Sequence, residues 1–352
     1  MLGVGRWVLL MTASVSSLSF AQRACFAAGQ AKSGTTLLIA LLDGHPQLLV
    51  LPEETAYFPT ALNKYGKFGR RAQFDYLTKE ALSRVLFGGP PEWEKPDYGH
   101  FPTGEFRERF EAAAFDPKNG DEDLLVLMMK TYADILGVSL DSIVRWVEKT
   151  PANRRFIPQI IARFPQTKFL ITMRDPRAIL AAQIALEKTR KTQEFSVYYC
   201  VSHWLQAAQL ALRAEGKEIS GIVIRYEDLV ADPASPMQRV CDFLEISFDR
   251  NVVLTPTKAG KFWAGNSATE REFTRVSGER ADSWQNELSM DEIGWVEWHC
   301  RGLMPHFGYT PRSSHRSFLH HWAKPIREER PKQYFKSRYY SVRDKLLGPR
   351  NK

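Results

Sequence analysis

The segment Gly29-Gln30-Ala31-Lys32-Ser33-Gly34-Thr35-Thr36 constrains this chain more than any other. It follows the short apolar run Ala24–Gly29 and opens the apolar stretch 35–43, so it reads as strand, loop and helix in succession. Two glycines with four residues between them, then hydroxyl residues, describe a cradle at a helix N-terminus. Backbone N–H groups and the positive end of the helix dipole converge there on a phosphate or sulfate. The pattern is close to a Walker A loop, but its lysine stands between the glycines instead of after the second. Lys32, Ser33, Gly34, Thr35 and Thr36 are the first candidate anion-binding residues.

Apolar runs followed by helical patterns recur at 24–29 and 35–43, at 144–149 and 154–163, and at 168–173 and 177–188. A helical stretch at 194–215, a further strand at 221–225 and a helix at 236–244 follow. This alternation predicts an α/β fold: a P-loop-like parallel sheet of four to five strands, flanked by helices on both faces. Ligands of such sheets sit beyond the carboxyl ends of the strands. Lys32, Lys149, Arg174 and Tyr226 each fall at or just past a strand end. Residues 56–142 interrupt the alternation as a helical insertion after the first βα unit, with helices near 73–86, 103–115 and 123–136. It suits a substrate lid and plain structural filling equally.

Charge divides the chain further. Residues 311–352 carry 12 Lys and Arg against 3 Asp and Glu, whereas the rest holds 36 against 37. The expected organisation is a leader of uncertain role at 1–22, a main domain at 23–310 and a basic tail at 311–352. The tail, with Tyr334, Phe335, Tyr339 and Tyr340 interleaved, suits weak contact with an anionic surface, and nucleic acid is not an expected partner. Cys25, Cys200, Cys241 and Cys300 are widely separated, which points to buried free thiols and away from a disulfide scaffold or a zinc site. Arg6, the apolar residues 7–11 and Ser19-Phe20-Ala21 loosely imitate a secretory signal. The apolar core is shorter than the ~18 residues a spanning helix needs.

Five ordered segments resemble the sulfotransferase family. Ala31-Lys32-Ser33-Gly34-Thr35-Thr36-Leu37-Leu38 is similar to its 5′-phosphosulfate loop. Asp43-Gly44-His45-Pro46 with Glu53-Glu54-Thr55 resembles the segment supplying the catalytic glutamate in the tyrosylprotein branch. Glu148-Lys149-Thr150-Pro151 is similar to the lysine-bearing strand end, and Met173-Arg174-Asp175-Pro176-Arg177 to the 3′-phosphate segment. Arg225-Tyr226-Glu227-Asp228-Leu229 resembles the strand end that contacts the nucleotide. The chain departs from the pattern at Ala182, where the family has a serine, with Gln183 beside it. Ser277-Gly278-Glu279-Arg280 is the nearest counterpart of the C-terminal nucleotide segment.

The resemblance implies 3′-phosphoadenylyl sulfate as donor, no metal, and a hydroxyl-bearing acceptor: peptide, carbohydrate or small molecule. It implies Glu54, Lys32 and Lys149 as catalytic residues, and Lys32, Ser33, Gly34, Thr35, Thr36, Arg174, Tyr226 and Arg280 as donor-binding ones. Two separated anionic groups on the donor call for two cationic sites. Arg174 offers a planar fork to the 3′-phosphate, and Tyr226 a ring to adenine. An ordinary glutamate titrates near ~4.3 and a phenol near ~10, so Glu54 as base is expected to be raised by burial. His45 before a proline and His100 in the insertion read as structural. The expected location is cytoplasmic, where the donor is made, although the signal-like N-terminus leaves export open. The alternatives are a P-loop kinase or NTPase, which wants a lysine where Thr35 stands, and a polyanion- or membrane-binding module acting through the tail.

Overall fold

The run Ala24–Gly29 forms strand β1, buried along its whole length at the centre of a sheet. The computed structural model describes residues 18–81, 101–190, 196–263, 276, 278 and 281–312. The expectations for most of the leader, for His100 and Arg280, and for the tail beyond Arg312 fall outside them. Strands β2 (Leu48–Val50), β3 (Arg145–Lys149), β4 (Lys168–Met173) and β5 (Gly221–Arg225) complete the sheet in the order β2-β3-β1-β4-β5. Every neighbouring pair is parallel, with Ala27 opposite Lys149, Gly29 opposite Thr172, and Met173 opposite Arg225. All five carboxyl ends therefore share one edge.

Helix α1 (Thr35–Leu42) joins β1 to β2. The insertion between β2 and β3 holds α2 (Arg70–Tyr76), a wider turn at Leu77–Ala81, α3 (Thr103–Phe115) and α4 (Leu124–Ile135). Helix α5 (Ile157–Arg163) leads to β4, and α6 (Pro176–Arg190) and α7 (Val197–Glu215) lead to β5. Beyond it come α8 (Tyr226–Ala231), α9 (Ala234–Leu244), α10 (Arg250–Val253), the hairpin of β6 (Thr257–Lys258) and β7 (Lys261–Phe262), α11 (Trp284–Glu287) and α12 (Met290–Cys300).

Alternation along the strands divides the core. Phe26 and Ala28 of β1 join the apolar faces of the insertion, α6, α7 and α12. Cys25 and Ala27 face the other way, onto α1 and α9. Burial on both faces is why β1 and most of β4 read as apolar runs, whereas β3 buries Arg145, Glu148 and Lys149 along its length. Phe26 is an aromatic hub, 5.7 Å from Phe58, 5.6 Å from Trp146 and 5.7 Å from Phe164. Through Phe58 the chain that leaves Glu54 is fastened to the central strand.

Two expectations are corrected. The single helix at 154–163 is instead a 3₁₀ turn, Pro151–Arg155, followed by α5. Pro158 has no N–H to extend a helix backwards and fits only in a first turn. The helix near 73–86 starts earlier, at Arg70, where Gly69 adopts a positive φ of 86° and breaks the chain direction. All four cysteines are free and buried, and burial pushes the Cys25 and Cys200 thiols up to about 12. Among the described residues no helix is long and apolar enough to cross a membrane.

Candidate active site

The loop after β1 begins where a side chain is sterically forbidden. A Cβ on Gly29 would lie 2.5 Å from Thr172 Oγ1 and 2.8 Å from Ser33 Oγ. Ser33 donates its N–H (3.0 Å) and its hydroxyl (2.7 Å) to the Gln30 carbonyl, and shares a further 2.6 Å bond with Thr172 Oγ1. Its polar groups thus close the loop, and the buried hydroxyl is directed inward. Lys32 holds φ +75°, a left-handed conformation that costs a non-glycine residue roughly 1–3 kcal/mol and clusters at functional loops. Gly34 holds φ +99° as the N-cap of α1, and a Cβ there would strike Tyr226 Cδ2 at 2.5 Å. Thr35 is buried in the first turn and Thr36 half-buried.

Arg174, just past β4, donates from Nη1 to the Lys32 carbonyl at 3.0 Å. Its guanidinium lies 4.2 Å from the centre of the Tyr226 ring. Lys32, Gly34, Arg174 and Tyr226, drawn from three strand ends, therefore form one unit. A latch backs it. Glu227 accepts from Asp175 N–H (2.9 Å) and from Tyr309 hydroxyl (3.0 Å), and burial raises its carboxyl pKa. Arg177 grips Asp175 with two nitrogens (2.9 and 2.6 Å), pairs with buried Glu297 and donates to the Thr310 carbonyl (3.1 Å).

The second half of the edge belongs to β2 and β3. Lys149, only 3% exposed, ends β3 and donates from Nζ to Glu54 Oε1 at 2.7 Å. Burial pulls its pKa down, but Glu54, Glu53 and Glu148 outweigh that and hold it above the ordinary lysine value. Lys149 is thus charged at neutral pH. Glu54 itself is 48% exposed, so the burial expected of a base is not provided by the described residues. Glu53 turns to another cation, Lys258 of β6, at 2.7 Å. The hairpin carrying Lys258 is bolted to Asp43, which accepts from Thr257 hydroxyl (2.8 Å) and Gly260 N–H (2.9 Å). His45 is structural, as expected: Nε2 meets the Ser247 carbonyl (2.9 Å) and Nδ1 accepts from Gln47 N–H (3.1 Å).

Sequence reasoning did not single out Glu148. It is fully buried, yet its carboxylate gathers Thr55 hydroxyl (2.8 Å) and N–H (3.3 Å), Thr150 hydroxyl (2.6 Å) and Asn153 Nδ2 (2.6 Å). Thr55 follows Glu54, and Glu148 precedes Lys149. The hub therefore ties together the two backbones that present the Glu54–Lys149 pair. Its place before Lys149 was visible in the sequence; partners 93 residues away were not. Ala182 is half-buried on α6, while Gln183 turns into the core. Among the described residues no group of three or more His, Cys, Asp or Glu is placed to hold a metal ion.

This geometry can bind two anionic ends of a nucleotide and present a carboxylate and an ammonium beside them. Over 239 residues the chain is 26% identical to "Protein-tyrosine sulfotransferase A" of Caenorhabditis elegans, covering 67% of this chain and 53% of that protein. It is 23% identical over 304 residues to "Protein-tyrosine sulfotransferase 2" of Gallus gallus, covering 84% and 71%. The chain thus spans about half the length of the worm relative. Among solved structures, the sulfotransferase domain of the Synechococcus PCC 7002 olefin synthase matches with a TM-score of 0.48 and 20% identity, over 82% of this chain and 94% of that one. A profile of the family described as "Sulfotransferase family" matches residues 25–250, and the chain belongs to that family.

Proposed function

We propose that this transferase moves a sulfuryl group from 3′-phosphoadenylyl sulfate to an acceptor hydroxyl. The observation that carries the reading is the 2.7 Å contact between buried Lys149 and Glu54, on the same sheet edge as the Lys32 loop. The donor fits the site on two counts. Gly34 leaves Tyr226 so close to the loop that no Cβ fits between them, and Arg174 is stacked on that tyrosine beside the Lys32 carbonyl.

The donor supplies an activated sulfuryl group on a good leaving phosphate. Glu54 takes the proton of the acceptor hydroxyl as its oxygen bonds to sulfur and the bond from sulfur to the bridging oxygen breaks. Lys32 and the loop amides stabilise the negative charge gathering on the departing 5′-phosphate. Lys149 aligns Glu54 and meets the charge developing on the attacking oxygen. Arg174 holds the 3′-phosphate and Tyr226 the base. The names of the relatives support a hydroxyl on a peptide, and a shorter match, 30% identical over 94 residues to "Carbohydrate sulfotransferase 2" of Mus musculus, keeps sugars in view.

Calorimetric titration with adenosine 3′,5′-bisphosphate is the direct test. Arg174→Ala is expected to weaken binding ~10- to 100-fold, the worth of a charge-assisted hydrogen bond of about 1.5–3 kcal/mol. A parent chain that does not bind the bisphosphate defeats the proposal. Gly34→Ala is expected to lower the same affinity at least tenfold, because the new methyl both meets Tyr226 at 2.5 Å and strains a φ of +99°. Unchanged affinity would show that Tyr226 is free to move aside.

A further inference from the structure

Beside the Lys149 strand end lies a set of polar groups that the chemistry above leaves unused. Arg154, in the turn Pro151–Arg155, donates from Nη1 to the carbonyls of Gly29 (2.9 Å) and Pro151 (3.0 Å). Burial pulls its pKa down to about 10, and no carboxylate among the described residues pairs with it. Its Nε is buried without a partner among those residues. Gln30, 1% exposed, donates from Nε2 to the Cys200 carbonyl of α7 at 2.9 Å, while its Oε1 is left unmatched. One turn further along α7, His203 packs edge-on against Tyr199 with ring centres 3.8 Å apart, and its Nδ1 is buried and unmatched as well. Burial, Arg154 and Arg155 push His203 down to about 3, so the ring is neutral.

Three elements thus converge with unmet hydrogen-bonding capacity around a guanidinium whose charge has no counter-ion among the described residues: β1's end, the 3₁₀ turn and α7. A desolvated cation of this kind costs several kcal/mol unless something anionic meets it, and a half-satisfied polar network is worse than an apolar one. We propose that Gln30, Arg154 and His203 form an acceptor subsite that receives an oxyanion, a carboxylate or sulfate, carried on the same molecule as the hydroxyl to be sulfated. Arg154 gives the charge and the Nε donor, and His203 gives a second donor in its Nδ1–H tautomer. Gln30 Oε1 takes a neighbouring hydroxyl or amide hydrogen. His203 lies on α7, which packs on β4 and β5, and it is Arg154 that points the set towards the acceptor. Arg154 stands five residues after Lys149, on the Glu54 side of β1, whereas Arg174 and Tyr226 belong to β4 and β5.

This subsite rests on the sulfuryl-transfer reading, and its test separates the two. The full chain, with and without saturating adenosine 3′,5′-bisphosphate, is titrated with 4-hydroxyphenylacetate and with its methyl ester. Affinity is read by calorimetry and the His203 ring by NMR. The acid is expected to bind at least ~10-fold more tightly than the ester, a difference of about 1.4 kcal/mol, and to move the His203 signals. Arg154→Gln should reduce that preference to within about twofold, and Arg154→Lys, which keeps the charge but not the fork, should retain part of it. Equal affinity for acid and ester, or an undisturbed His203, overturns the subsite and leaves the three atoms to water. So does an equal loss of both ligands in Arg154→Gln, which would make Arg154 only a clamp on the Gly29 carbonyl. Failure of the parent to bind the bisphosphate counts against the donor, not against the subsite.

Discussion

Glu54→Gln is expected to lower kcat by about 10²–10⁴-fold while leaving adenosine 3′,5′-bisphosphate affinity unchanged. That range is what a positioned proton acceptor contributes. The amide keeps the shape and one acceptor oxygen for Lys149, so the 2.7 Å contact survives as a weaker bond. Half of Glu54 faces solvent but Lys149 is buried, so the variant, which keeps an acceptor oxygen beside the ammonium while losing its charge, is expected to melt somewhat below the parent. Steady-state kinetics set beside thermal melting distinguish the two roles. A variant that melts normally but turns over like the parent would remove Glu54 from the reaction.

Glu148 should behave in the opposite way. Glu148→Ala leaves Thr55 N–H and the Asn153 amide buried and unmatched, and is expected to cost about 2–4 kcal/mol of stability. Turnover should fall with it, since the backbones on which Glu54 and Lys149 stand lose their common tether. Glu148→Gln keeps the shape, and Asn153, whose Oδ1 is otherwise unmatched, can rotate its amide to suit. The pH dependence gives a sharper discriminator. Burial raises the Glu148 carboxyl pKa against the pull of its four donors. A carboxyl raised on folding binds protons more tightly in the native state, so its contribution is fully present below the unfolded value near ~4.3. That contribution is lost as pH climbs through the folded value. Glu148→Gln cannot ionise. Its stability relative to the parent should therefore improve steadily as melts are taken from pH 4 towards pH 8. A difference independent of pH would mean that folding leaves the carboxyl's pKa unshifted.

Much of the architecture was readable because β1, β4 and β5 carry short, mainly apolar runs, although β3 holds Arg145, Glu148 and Lys149 within its five buried residues. The strand ends at Gly29, Lys149, Met173 and Arg225 then placed Lys32, Lys149, Arg174 and Tyr226 on one edge. Strand order was not readable. Nothing in the local pattern says that β3, reached only after the helical insertion, slips between β1 and β2. The side chains that serve the loop were equally hidden. A serine in a phosphate-loop pattern looks like a ligand, yet Ser33 bonds Gln30 and a threonine 139 residues away. Glu148 and Arg154 belong to the same class: their partners arrive from distant segments, and residue type alone announces neither. Exposure was the remaining gap, because what covers Glu54 depends on packing around a turn.

The latch of Arg177, Asp175, Glu227, Tyr309 and Thr310 has a consequence for how the protein matures. During synthesis the phosphate loop leaves the ribosome early, whereas Glu297, Tyr309 and Thr310 emerge more than 260 residues later. A nascent chain interrupted before position 297 would hold Arg177 against Asp175 alone. On the proposed reading, nucleotide affinity is expected only after residues 297–310 have been made, so ligand added to ribosome-bound intermediates should rescue only those that already carry them.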